Sequence, residues 1–173
     1  MKSISWSRLD IIARSLTPFG FTLLLVMINV LPLQLPGMSR VMPLLPLMSI
    51  YSWAVHRPDL MPAYGVFVIG LFQDILIGTP IGIHVLTYLL VYGTVVWQRR
   101  FLAGNSFAVI WVGFLLISAG ASLISWVLIS LYYFVFIQPE ALVYQYLLSA
   151  GGFPLLSWLF MRWQLAFLSE IGE

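Results

Sequence analysis

Apolar residues run in long blocks along this chain, and polar residues collect in the short gaps between them. Blocks of this kind match helices that cross a hydrocarbon layer of about 30 Å, which needs roughly 20 apolar residues per crossing. Strict polar/apolar alternation over roughly ten-residue segments, the mark of a membrane β-barrel, is absent. The pattern predicts six spans, at 16–35, 41–55, 60–77, 80–97, 107–131 and 142–161. The first starts at Thr17-Pro18, residue types suited to the N-cap and first turn of a helix. The second is short and carries Pro43 and Pro46 in its first turns, so it is either a span or a re-entrant piece buried in protein. The fifth lies in a 106–136 stretch longer than the core requires, which sends Tyr132 and Tyr133 into the far interface. Gly151, Gly152 and Pro154 interrupt the sixth and mark a kink or flexible point. Loops as short as 78–80 and 56–59 make the helices they join antiparallel neighbours. The expected fold is all-α: one transmembrane helical bundle domain over 1–173, a polytopic integral membrane protein.

Composition strengthens this reading. The chain is 61% hydrophobic and 8% charged, with a mean hydropathy of +1.00, whereas a soluble domain is about 25% charged. Membrane lipid is therefore its expected surrounding. A net charge of +2 gives no reason to expect nucleic acid. The absence of cysteine excludes disulfides, thiolate chemistry and Cys-ligated metals. Lys2, Arg8 and Arg14 precede the first apolar block, which outruns a signal peptide and has no Ala-x-Ala site, so it is expected to stay as an anchor. Basic residues also set orientation. With the N-terminus inside, Lys2, Arg8, Arg14, Arg57, Arg99, Arg100 and Arg162 lie on the cytoplasmic side and Arg40 alone lies outside. Both termini are then cytoplasmic.

One polar position breaks the apolar blocks. Asp74 is the only acid inside them; Asp10, Asp59, Glu140, Glu170 and Glu173 lie at ends or in loops. A carboxylate in hydrocarbon costs several kcal/mol unless it is paired, wetted or neutralised. The turn Gly78-Thr79-Pro80-Ile81-Gly82 could bring Asp74 to His84 or let both reach interfacial water. The pair could serve as a polar lock, a proton-coupled site or a partner contact. Alternatively, the N-terminal amides of the fourth span satisfy the carboxylate. One His and one Asp are too few for a metal site. Gly70, Gly78 and Gly82 signal turns and close helix approach. Ser118, Ser122 and Ser125 share one face of the fifth span, where small residues allow either packing within the bundle or contact with a partner helix. No Ser-His-Asp set, P-loop or phosphate cradle appears, so neither an enzyme nor a cofactor is expected.

The stretches 51–58, 70–76 and 78–86 carry a family resemblance. With Arg99-Arg100, Gly152-Phe153-Pro154 and Met161-Arg162, they make the chain resemble the bacterial rod shape-determining protein MreD. That resemblance implies a place in the cell-elongation machinery of the inner membrane, beside the single-span protein MreC. More distantly it implies work with the MreB filament and the peptidoglycan-synthesising RodA and transpeptidase pair. No catalytic residue comes with it. The family is also similar in architecture to the substrate-binding S components of energy-coupling-factor vitamin transporters, the alternative reading. Those proteins dock through Ala-x-x-x-Ala in the first span. Here the nearest match, Ala13-Arg14-Ser15-Leu16-Thr17, departs from that motif and lies before the span.

Overall fold

The computed structural model describes the backbone of residues 4–30 and 42–168, and the side chains of 17–30, 42–159 and 162. Arg40, the end of the first predicted span beyond residue 30 and Glu170 and Glu173 lie outside the described residues. Within them the chain is all-helical: α1 (Ile4–Val30), α2 (Leu45–His56), α3 (Ala63–Ile77), α4 (Ile83–Ala103), α5 (Phe107–Tyr133) and α6 (Glu140–Leu168), with a 3₁₀ turn at Pro58–Leu60. Among the described residues one helix, α5, is long and apolar enough to cross a membrane by length and composition, and the 17–30 and 63–77 stretches are shorter apolar helices.

The helix boundaries correct the sequence reading in several places. Thr17-Pro18 does not open α1; the helix begins at Ile4 and carries Pro18 inside it. The Pro18 carbonyl accepts from the Thr22 hydroxyl at 2.8 Å. Helix α3 starts at Ala63, after the 3₁₀ turn. Residues 80–82 belong to the connection, so α4 starts at Ile83 and runs on to Ala103. Helices α5 and α6 extend beyond their predicted C-terminal limits. Helix α6 runs unbroken through Gly151, Gly152 and Pro154.

Helix α2 is the centre of the structure. Its 12 residues rise about 18 Å, less than a hydrocarbon core of about 30 Å. All ten residues from Pro46 to Val55 are buried, so it has no lipid-facing side. Buried on every side, it still carries the chain from the end where Asn29 meets Pro43 to the end where Tyr92 meets Pro58. Around it the other helices make contacts in the order α1–α3–α4–α5–α6, with α1, α4, α5 and α6 packed on α2 itself. The α1–α6 edge is the loosest in this ring.

Specific contacts fix the helix directions. The Asn29 amide reaches the Pro43 carbonyl, and Thr22 and Ser49 share a hydroxyl hydrogen bond of 2.7 Å, so α1 and α2 are antiparallel. The Tyr92 hydroxyl reaches the Pro58 carbonyl, folding α4 back along α3. Trp111 and Tyr146 tie α5 to α6 in antiparallel register through the carbonyls of Ala150 and Leu115. The chain thus alternates between two ends. One end holds Arg57, Arg99 and Arg100. The other holds the α3–α4 turn and the α5–α6 connection. Mid-bundle, Phe153 stacks on Phe114 with centroids 4.2 Å apart, and both meet Tyr51 edge-on.

Candidate functional site

The α3–α4 turn is built by its glycines. Gly78 ends α3 in the left-handed region at φ 77°, and its N–H bonds the Asp74 carbonyl. Gly82 opens α4 at φ 112°. A side chain at either position is strained, because Cβ crowds the backbone there. Pro80 lies between them and accepts the Ile83 N–H at its carbonyl. One turn lower, Gly70 brings the two helices into backbone contact. A Cβ on Gly70 would stand 2.6 Å from Val85 Cα and 2.8 Å from Val85 N.

This geometry delivers four donors to one carboxylate. Asp74 is fully buried, at 0% exposure. Its Oδ1 accepts from the Thr79 hydroxyl at 2.8 Å, the His84 backbone N–H at 3.1 Å and His84 Nδ1 at 2.7 Å. Its Oδ2 accepts from the Gly82 backbone N–H at 2.9 Å. A carboxylate offers about four acceptor sites and no proton, so Nδ1 carries the imidazole hydrogen in this contact. Charge-assisted bonds of this kind are stronger than neutral ones, and two of the four come from the start of α4, where amides are unpaired and favour negative charge. The helix-amide reading and the His84 reading therefore hold together. The interfacial-water reading of Asp74 does not, because the turn closes over the carboxylate.

The sequence-predicted residues Asp74, His84, Gly70, Gly78, Pro80 and Gly82 thus converge on one turn. Ser118, Ser122 and Ser125 lie elsewhere, on the inward face of α5. Ser118 is buried and bonds the Leu115 carbonyl. Ser125 shares a 3.0 Å hydrogen bond with Thr87 of α4. This face is thus turned to α4 and not outward to a further helix.

Beside the lock, at the end away from Arg57, Arg99 and Arg100, a partly open cavity of about 500 Å³ is lined by residues of all six helices. His84 borders it, with 15% of its side chain exposed. The cavity also takes in Ser122, Ser125, Thr87, Tyr88 and Gln145. Sequence reasoning missed Thr79, Thr87, Tyr88 and Gln145. A usable signal existed for the middle two, since positions three and four after His84 share its helix face. Among the described residues no three His, Asp or Glu converge as a metal site.

These features define a class: an all-helical protein with an apolar exterior, a buried carboxylate locked at a helix turn and no catalytic set among the described residues. A family model described as rod shape-determining protein MreD matches residues 10–163. The chain belongs to that family, and with it to the membrane proteins that determine cell shape. Comparisons with curated proteins and with solved structures returned no match.

Proposed function

We propose that the protein is a non-enzymatic, multi-pass scaffold of the bacterial inner membrane. It binds the single-span protein MreC and so supports lateral peptidoglycan synthesis in rod-shaped growth. Contact with the MreB filament and the RodA–transpeptidase pair is indirect or weak. The observation that carries this reading is the family match over residues 10–163. The exterior supports the membrane placement: Leu116, Leu123, Val127 and Leu131 of α5 and Tyr64, Phe67 and Ile75 of α3 are all exposed, more apolar surface than water tolerates. The basic residues Arg57, Arg99 and Arg100 gather at one end and are assigned to the cytoplasm. Both termini are assigned to the same side.

In this reading the Asp74–His84 lock is structural. Lipid supplies no hydrophobic force between helices, so a scaffold needs polar bonds and close glycine contacts to hold one surface in one shape.

Affinity purification in mild detergent tests the function. MreC should be retained, and depletion of the protein should turn rods into spheres. Rods that persist on full depletion would overturn the proposal. Orientation is tested separately, since the chain has no cysteine of its own. Single cysteines at Ile81 and Pro139 should react with an impermeant reagent from outside, and those at Arg57 and Gly104 should not. Outside labelling at Arg57 would refute the orientation.

A further inference from the structure

The cavity beside the lock is a large space that the scaffold reading leaves unused. Its volume of about 500 Å³ falls within the roughly 300–1,000 Å³ of small-molecule sites. Its lining is mixed in a specific way. Ser122, Ser125, Thr87 and Gln145 supply hydroxyl and amide groups, which both donate and accept. His84 adds Nε2, since Nδ1 is committed to Asp74. Leu44, Leu47, Ile129, Ile137 and Leu142 supply apolar walls. Among the described residues no Lys, Arg, Asp or Glu lines it.

The hydroxyl and amide groups on this wall select the ligand. A charged group without a counter-ion in an apolar setting is strongly disfavoured, whereas a neutral polar group needs only hydrogen-bonding partners. Hydroxyl and amide groups on the wall suit a ligand group that also donates and accepts. The apolar walls suit a hydrocarbon body. The loosest edge of the helix ring, between α1 and α6, borders the cavity, because Asn29 and Val30 of α1 and Ala141 and Gln145 of α6 both line it.

We propose that this cavity binds an uncharged amphiphile, a hydroxyl- or amide-bearing polar group on an apolar body, with the polar group on the Gln145–Ser125–His84 wall. The site stands on its own lining and does not depend on MreC binding. Such a molecule could come from the bilayer as a neutral lipid or from water as a small amide or alcohol.

The test uses the full-length protein in phosphatidylcholine vesicles with a photoactivatable, clickable diacylglycerol. A phosphatidic acid with the same chains serves as the charged control. Diacylglycerol should label peptides of α5 and α6 that border the cavity. Ala141→Trp, placed at the exposed rim, should abolish that labelling. Gln145→Met should reduce it about fivefold, the effect of one lost hydrogen bond of roughly 1 kcal/mol. The phosphatidic acid should label the cavity less. Protein purified directly from cells is also extracted, and its retained molecules are identified by mass spectrometry. A retained neutral, water-soluble amide or alcohol that is absent from Ala141→Trp assigns the same site to the aqueous source. The proposal is overturned if labelling is equal for both lipids, or unchanged in Ala141→Trp, and no retained molecule is lost in that variant. Circular dichroism and gel filtration of both variants confirm the fold, so a loss of labelling reads on the site.

Discussion

The two polar regions at this end of the bundle use the same residue types to opposite effect. At the α3–α4 turn, both carboxylate oxygens of Asp74 accept from donors within ten residues of it in sequence. Across the cavity, Gln145, Ser122 and the Nε2 side of His84 border open space, and the Tyr88 hydroxyl is buried without a partner among the described residues. A saturated polar group in a low-dielectric setting holds one geometry; an unsaturated one carries a cost that a ligand or water can remove. The first region thus has the character of a fastening and the second that of a receptor. The glycines sharpen the contrast. Gly70 leaves no room between α3 and α4, while α5 and α6 diverge around a cavity.

Breaking the fastening should have the largest effect. Asp74→Leu strands the Gly82 and His84 backbone N–H groups, the Thr79 hydroxyl and the imidazole in a buried place. Removing one partner of a buried charged network costs about 3–5 kcal/mol, so the variant should lose most of its level in the membrane. Asp74→Asn keeps one acceptor oxygen, and its amide can donate to the other His84 tautomer, so it should cost about half as much. Thermal unfolding in detergent and membrane abundance measure both. An Asp74→Leu variant with wild-type unfolding temperature and abundance would show that the lock is dispensable.

Gly70→Val follows. Overpacking costs about 1–3 kcal/mol when side chains can adjust. Here the obstacle is the main chain of Val85, which cannot rotate away, so the upper end of that range is expected. The variant should unfold at lower temperature and expose the turn to proteolysis. Gly78→Ala meets no neighbour and is penalised by backbone conformation alone, about 1–2 kcal/mol. If Gly78→Ala proves worse than Gly70→Val, the turn conformation rather than the close approach holds the hairpin.

The parts that could be read from the sequence were those in which a residue conflicts with its own neighbours. Asp74 stands out in an apolar run, and the glycines that flank it announce a turn, so the lock was visible down to His84. Thr79 was hidden because a threonine in a turn is unremarkable until a carboxylate lies within reach. Pro18 misled because the same residue opens helices and also interrupts them. What decides is whether the preceding stretch can itself be helical, and 4–16 is. The central place of α2 had no local signal, since a helix buried on all sides shows no polar face and its shortness fits two topologies. Whether the Ser118, Ser122 and Ser125 face met a neighbour or a partner depended on the direction α5 turns, which is a tertiary property. The cavity is a gap lined by all six helices, and no single segment encodes it.

The smallest expected effect separates the two regions most cleanly. Tyr88 is 2% exposed, its ring meets His84 edge-on at 5.7 Å, and its hydroxyl has no partner among the described residues. An unpaired buried hydroxyl is destabilising by about 1–3 kcal/mol. Tyr88→Phe keeps the ring and its contact with His84 and removes that penalty. In the purified protein freed of bound molecules, it should be neutral or raise stability by about 1 kcal/mol, read as an upward shift in unfolding temperature. No such gain is available at Thr79, where the same loss of a hydroxyl, Thr79→Val, removes a 2.8 Å bond to Asp74 and should destabilise by about 1–3 kcal/mol. Opposite signs for these two hydroxyl deletions are what a fastened turn beside an unfilled receptor requires. If both variants destabilise alike, the Tyr88 hydroxyl is paired in the native protein, and the two regions are fastenings of one kind.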